Sequence, residues 1–187
     1  GENFGTIYGL DYTYLNGQKV VAPIYDKGDP TKVVGTRYVT TKDPVAIGNA
    51  TPFLTGGLTN IFRYKNFSLY ILTDFKLGGD VYCMDYASAM GEGKAPETLL
   101  ERNGGGLPFT YPDGTTANDG VILDGVFADG TKNTDVVSYM YKYAGQYQAW
   151  SNVDMPRSNA VFENTWIKCR EVSLTYDLPT TVAQKTK

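Results

Sequence analysis

Residues 57–82 read GLTNIFRYKNFSLYILTDFKLGGDVY, and the fold turns on which medium meets the two sides of this ribbon. Side chains alternate across a strand with period two. Leu58, Asn60, Phe62 and Tyr64 therefore share one side and Thr59, Ile61 and Arg63 the other. After the Lys65-Asn66 break, Phe67, Leu69, Ile71, Thr73 and Phe75 oppose Ser68, Tyr70, Leu72, Asp74 and Lys76, and Gly78-Gly79 closes the run. The pattern is a long β-hairpin. Its apolar side suits the core of a soluble sandwich. The commoner case is the sandwich, but the side also suits a bilayer, since the second arm is the length a tilted membrane strand needs and carries Phe67 and Phe75 near its ends.

The surroundings are of the same texture. The chain has 187 residues, rich in Gly (21), Tyr (15) and Phe (8), which is the mix of strands, turns and aromatic surfaces; the fold class is all-β. Lys and Arg total 17 against 20 Asp and Glu, and the basic residues are scattered, so no nucleic-acid partner is expected. No stretch approaches the length of an apolar membrane helix. The chain opens without Met or a leader and is expected to be an excised segment.

Histidine is absent. That removes Ser-His-Asp and Cys-His nucleophile systems and the His-containing zinc motifs. Glu92, Glu97, Glu101, Glu163 and Glu171 offer carboxylates, but an acid/base pair needs a spatial separation that sequence does not give. No enzyme, no cofactor and no metal site are expected. Asp124, Asp129 and Asp135 around Asn133 lack the ligand order of a calcium loop and are read as turn formers. Cys83 and Cys169 carry no metal spacing, and whether they pair is a matter of geometry.

Elsewhere, Asn16-Gly17 suits a type I′ turn and predicts a hairpin of residues 6–15 with 18–22. A short strand is expected around 36–40. Residues 83–164 read as a long irregular region with two short helices. One follows Pro96 through ETLLERN, and the other runs through TDVVSYMYKYAGQYQAW with Thr134 or Asp135 as its cap. The aromatic cluster Tyr139, Tyr141, Tyr143, Tyr147 and Trp150 either offers platforms for a sugar or protein partner or seats the second helix on its own domain. Finally, WIKCREVSLTYDL alternates Trp166, Lys168, Arg170, Val172, Leu174, Tyr176 and Leu178 against Ile167, Cys169, Glu171, Ser173, Thr175 and Asp177. From residue 171 on, one side is polar and the other apolar.

Four blocks in order, GENFGTIYGLDY (1–12), IGNATPFLTGGLTNIFRYKNFSLYILTDFKLGGDVY (47–82), LDGVFADGTKN (123–133) and NTWIKCREVSLTYDLP (164–179), resemble signatures of the SusC/RagA family of TonB-dependent outer-membrane transporters. The chain holds no plug region or TonB box and stops soon after Leu178-Pro179, so the resemblance implies a C-terminal part of a barrel of about 22 strands. It implies this division: 1–45 hairpin and loop, 46–82 barrel hairpin, 83–164 long extracellular loop, 165–179 barrel strand, 180–187 polar tail. Phe67, Leu69, Ile71 and Phe75 would face lipid; Glu171, Ser173, Thr175 and Asp177 would line the lumen; Tyr176 and Leu178 would lie near the inner interface. The family's partners follow: TonB through the absent N-terminal region, a SusD-like surface lipoprotein, an oligosaccharide or peptide ligand, and the outer-membrane bilayer of a Gram-negative cell. The competing reading is a secreted or surface-exposed all-β module that binds carbohydrate or protein.

Overall fold

The computed structural model describes residues 3–147 and 156–179, with residues 144–147 described as backbone only. Half of the chain is strand and 15% helix, so the protein is all-β. In chain order the strands are β1 (Thr6–Gly9), β2 (Tyr14–Leu15), β3 (Gln18–Lys19), β4 (Val21–Tyr25), β5 (Val33–Tyr38), β6 (Val45–Asn49), β7 (Leu54–Tyr64), β8 (Phe67–Leu77), β9 (Asp80–Tyr82), β10 (Leu107–Thr110), β11 (Thr116–Ile122), β12 (Val136–Ser138), β13 (Val161–Glu163) and β14 (Trp166–Tyr176). The helices are α1 (Met84–Gly91), α2 (Leu99–Arg102) and α3 (Tyr139–Tyr147). The chain divides into two compact units, one from residues 1–48 and 82–162, the other from 49–81 and 163–187.

In the first unit Asn16 and Gly17 take φ of 51° and 79°, the two positive values that a type I′ turn requires. The arms are shorter than the sequence predicts. β2 pairs with β3 over two residue pairs, and then the partners change: β4 pairs with β5, and β1 lies beside β6. Bonds from Thr13 N to Val39 O and from Val39 N to Val20 O make the exchange, because the Tyr38 strand supplies a longer ladder than the hairpin's own continuation. The expected short strand is β5 and begins three residues earlier, at Val33.

The described residues between 83 and 164 hold more regular structure than the sequence predicts. These described residues contain an antiparallel sheet of order β10-β11-β12 and three short α-helices. Val136 and Val137, β-branched, pair with Ile122 and Val121 in the sheet, so α3 starts at Tyr139 and neither Thr134 nor Asp135 caps it. The helix after Pro96 is one 3₁₀ turn followed by the four residues of α2. α1 escapes sequence reading because it buries just Ala87 and Met90, less than a full apolar stripe. Two small cores result. Val21, Val121, Leu123 and Val137 form one, flanked by Tyr38, Phe127, Tyr139 and Tyr141. Met90, Ala95 and Tyr143 form the other, flanked by Tyr86, Ala89 and Tyr139.

The second unit is a three-stranded antiparallel sheet of order β14-β8-β7. Each strand has 11 residues. The turn between β7 and β8 is Lys65-Asn66, with Lys65 at φ 51°. Asn66 fastens the end of the third strand to this turn: its amide Nδ2 donates to Asp177 O at 2.7 Å, and Asp177 N donates to Asn66 O at 2.8 Å.

Candidate functional site

The sheet's two faces follow from its register. Residues opposite one another in an antiparallel pair point to the same face. Along β7 and β8, Tyr64 faces Phe67, Phe62 faces Leu69, Asn60 faces Ile71, Leu58 faces Thr73, Gly56 faces Phe75 and Leu54 faces Leu77. Along β8 and β14, Phe67 meets Tyr176, Leu69 meets Leu174 and Ile71 meets Val172.

Then the register slips. Thr73 meets Cys169 while Leu72 meets Glu171, so Arg170 has no opposite number and forms a β-bulge. The slip corrects the strict alternation expected for this strand. Ile167 and Cys169 join Val172, Leu174 and Tyr176 on the apolar face, and Trp166 and Lys168 pass to the polar one. The apolar face thereby runs unbroken from Tyr176 to Ile167, apart from Asn60 and the small Thr73 and Cys169. It is uncovered: Ile167, Val172 and Leu174 are 72%, 63% and 68% exposed.

Aromatic side chains mark its ends. Tyr64, Phe67 and Tyr176 form one row at the turn, with the Phe67 and Tyr176 rings 4.7 Å apart. At the other end the tip of the Phe75 ring lies against Gly56, where an added Cβ would come within 2.7 Å of it. A glycine is needed there because the ring occupies the space a side chain would take.

The opposite face carries Glu171, Ser173 and Thr175 beside Leu72, Tyr70 and Ser68. Asp177 lies beyond the end of β14, held by its backbone to Asn66. Arg170 joins this face through its Nε, which donates to Asp74 Oδ2 at 2.7 Å. The Lys168 ammonium is 4.4 Å from the centroid of the Trp166 ring, and the Arg170 guanidinium is 5.8 Å from it. Reading the strand by alternation alone misses Trp166, Lys168 and Arg170 as members of the polar face. The one clue in the sequence is that two cations fall in line with Val172 and Leu174.

In the first unit, α3 distributes the expected aromatic cluster. Tyr139 is half-buried, touches both cores and has the Arg102 guanidinium 5.8 Å from its ring. Tyr141 is half-buried with its ring against Gly35. Tyr143 is 4% exposed, and its hydroxyl proton is shared between Glu97 O and Glu101 Oε2, each 2.8 Å away. The Tyr147 side chain and Trp150 lie outside the described residues.

Glu101 also accepts from Lys142 Nζ at 2.6 Å. Burial works against ionisation of Glu101, but the bonds from Lys142 and Tyr143 outweigh it and hold the carboxyl below its usual range. Burial likewise opposes the Lys142 charge, and the bond to Glu101 overrides it, so the ammonium is held above its usual range. Tyr143 is raised, chiefly by burial and then by the Glu101 bond.

Lys142 and Tyr143 border a cleft of about 430 Å³, lined also by Lys19, Tyr38, Leu100 and Asp124. Lys19 Nζ sits 3.6 Å from the Tyr12 ring centroid, and burial lowers its pKa. Asp129 and Asn133 are occupied locally: Asp129 Oδ1 accepts from Thr131 N at 2.9 Å, and buried Asn133 Nδ2 donates to Leu123 O at 2.8 Å. Cys83 and Cys169 are free thiols.

The geometry thus defines an all-β protein with a two-faced sheet, one face apolar and uncovered, the other polar. No family model matches the chain. It is similar to the TonB-dependent receptor P3 of Formosa agariphila, at 24% identity over 208 aligned residues that take in all of this chain and 16% of that protein. The chain therefore spans about 16% of the length of the curated relative it matches.

Proposed function

We propose that this chain is the C-terminal part of a TonB-dependent outer-membrane importer of the SusC/RagA type, and that β7, β8 and β14 are adjacent membrane-spanning strands of its barrel. The observation that carries the reading is the apolar face made continuous by the Arg170 bulge across three strands of 11 residues each. A tilted membrane strand needs about 9–11 residues. From the Tyr64 and Phe67 row to the Leu54 and Leu77 row is 10 register steps. At about 3.4 Å per step and a tilt of about 40°, that rises about 26 Å, the height of a barrel's lipid-facing band.

On this reading Phe67, Leu69, Ile71 and Phe75 face lipid with Ile167, Val172 and Leu174, and Glu171, Ser173, Thr175 and Asp177 line the lumen. Lys65-Asn66 is the periplasmic turn, and residues 83–164, which join the other ends of β8 and β14, are the extracellular loop. Tyr139 and Tyr141, the half-buried members of α3, are its candidates for contact with ligand or lid. TonB would act through a region outside this chain, and a SusD-like lipoprotein would cover the mouth. The cargo would be an oligosaccharide or peptide. The likeness to a TonB-dependent receptor supports the general class.

The test is fractionation of the parent cell's envelope and medium, together with deletion of the gene and growth of the deletion strain on single glycans and peptides. Recovery of the protein in the outer membrane and loss of growth on one such nutrient bear the proposal out. Recovery in the culture medium, with every uptake normal, would establish the binding-module reading instead.

A further inference from the structure

The polar face of the sheet is not uniform. Toward Lys65-Asn66 it is lined by Ser68, Tyr70, Ser173 and Thr175 with Ile61 and a single cation, Arg63. Toward the opposite end it gathers Lys168 and Arg170 around Trp166, with Lys76 across from Trp166 in the register and Asp74 and Glu171 as its carboxylates. The bulge creates this cluster, because a regular strand would turn Trp166 and Lys168 to the other face and leave Arg170 no room beside Asp74.

The charges are unevenly compensated. Asp74 is engaged by Arg170 Nε at 2.7 Å. Among the described residues, neither Lys168 nor Lys76 forms an ion pair. Lys168 is held over an indole ring, an arrangement that positions a cation without neutralising it. Arg170, using Nε for Asp74, keeps its two terminal nitrogens for another acceptor. Lys76 stands directly across from Trp166 in the register.

We propose that Trp166, Lys168, Arg170 and Lys76 form a binding site for an anionic saccharide, the indole taking the sugar ring and the cations its carboxylate or sulfate ester. The inference rests on the importer reading, which makes this face the lumen wall near the outer opening, and it narrows the cargo to acidic glycans. A pyranose presents an apolar C–H face to an aromatic ring. A pyranose stacked on Trp166 takes the place of the Lys168 ammonium over the ring, and that cation, two residues away on the same face, then meets an equatorial anion together with Arg170. The exposed ammonium of Lys168 and the half-exposed guanidinium of Arg170 are open to such a ligand.

The test is calorimetric titration of the whole purified protein in detergent with three probes: oligogalacturonate for the carboxylate, a carrageenan oligosaccharide for the sulfate ester, and neutral maltohexaose. At least one anionic probe is expected to bind about tenfold or more tighter than maltohexaose, with affinity falling as salt rises. Whichever anionic probe binds identifies the group recognised. Trp166→Ala and Lys168→Gln should each weaken it about five- to tenfold, and Lys168→Arg should restore most of the loss. Equal affinity for the neutral probe, or anionic binding untouched by both substitutions, overturns the site. The importer reading fails separately, by absence of the protein from the outer membrane, whatever the titrations give.

Discussion

A charge placed on the sheet at mid-height distinguishes a lipid-facing surface from a protein core more sharply than any deletion. Ile71, with Asn60 and Val172 beside it, stands four register steps from the Phe67 row and six from the Leu77 row. On the proposed membrane placement, at about 3.4 Å per step and a tilt of about 40°, it would lie about 10 Å above one edge of the apolar band and about 16 Å below the other, close to the midplane. An arginine there should cost about 2–4 kcal/mol, and at Phe67, on the edge, about 0–1 kcal/mol. Tyr70 and Ser68 are their neighbours on the polar face, and arginine at either should be nearly neutral. The contrast between Ile71→Arg and Tyr70→Arg is thus a factor of about 30 to 1,000 in the folding equilibrium. Guanidinium titration of the whole protein reconstituted in vesicles, followed by tryptophan fluorescence, would measure it. Equal costs at Ile71 and Tyr70, or an Ile71→Arg cost that does not depend on depth when compared with Phe67→Arg, would refute the assignment of this face to lipid.

Three further outcomes follow from particular contacts. Glu101, held below its usual range, contributes stability that is complete above its unfolded value of about 4.3 and is lost as pH falls through the lower folded one. Lys142, held above its range, contributes below about 10.4 and loses that contribution as pH rises through its higher folded value, and raised Tyr143 adds to the alkaline loss. Hydrogen-exchange protection in α2 and α3, taken relative to the intrinsic rate at each pH, should therefore fall in acid and in strong alkali, and Glu101→Gln should flatten the acid limb; an unchanged limb would remove Glu101 from the account. Lys65, at φ 51°, tolerates glycine, whereas Lys65→Val should destabilise the hairpin by more than about 1 kcal/mol in the same guanidinium titration. Cys169 shares the apolar face with Leu58 and Thr73, so in vesicles it should resist a water-soluble maleimide and react after denaturation. Rapid labelling in intact vesicles would place it in the lumen.

Much of this architecture is legible one residue at a time. The Lys65-Asn66 break, the alternation of Phe67 to Phe75 and the Asn16-Gly17 turn depend on neighbours close in sequence, and each appears as a local pattern. Partner exchange is not local: β4 leaves its hairpin for β5, and β12 takes Val136 and Val137 from what reads as the start of a helix. Tyr143 is another case. Its helical spacing with Tyr139 and Tyr147 says that it shares a face with them, but its buried bonds to Glu97 and Glu101 depend on α2 and its preceding turn, more than 40 positions away.

The sequence by itself determined that the chain is all-β, that its long hairpin has one apolar and one polar side, and that histidine chemistry is excluded. Those are consequences of composition and of a period-two backbone. Only the tertiary structure decided where the period fails. A bulge absorbs one residue without advancing the partner strand, and the residue absorbed is chosen by pairing with β8. Placed at Arg170, it matches Ile167 and Cys169 to Phe75 and Thr73 on one side and sets Trp166 and Lys168 beside Lys76 and Asp74 on the other. The apolar face and the cationic patch both depend on that single unpaired residue.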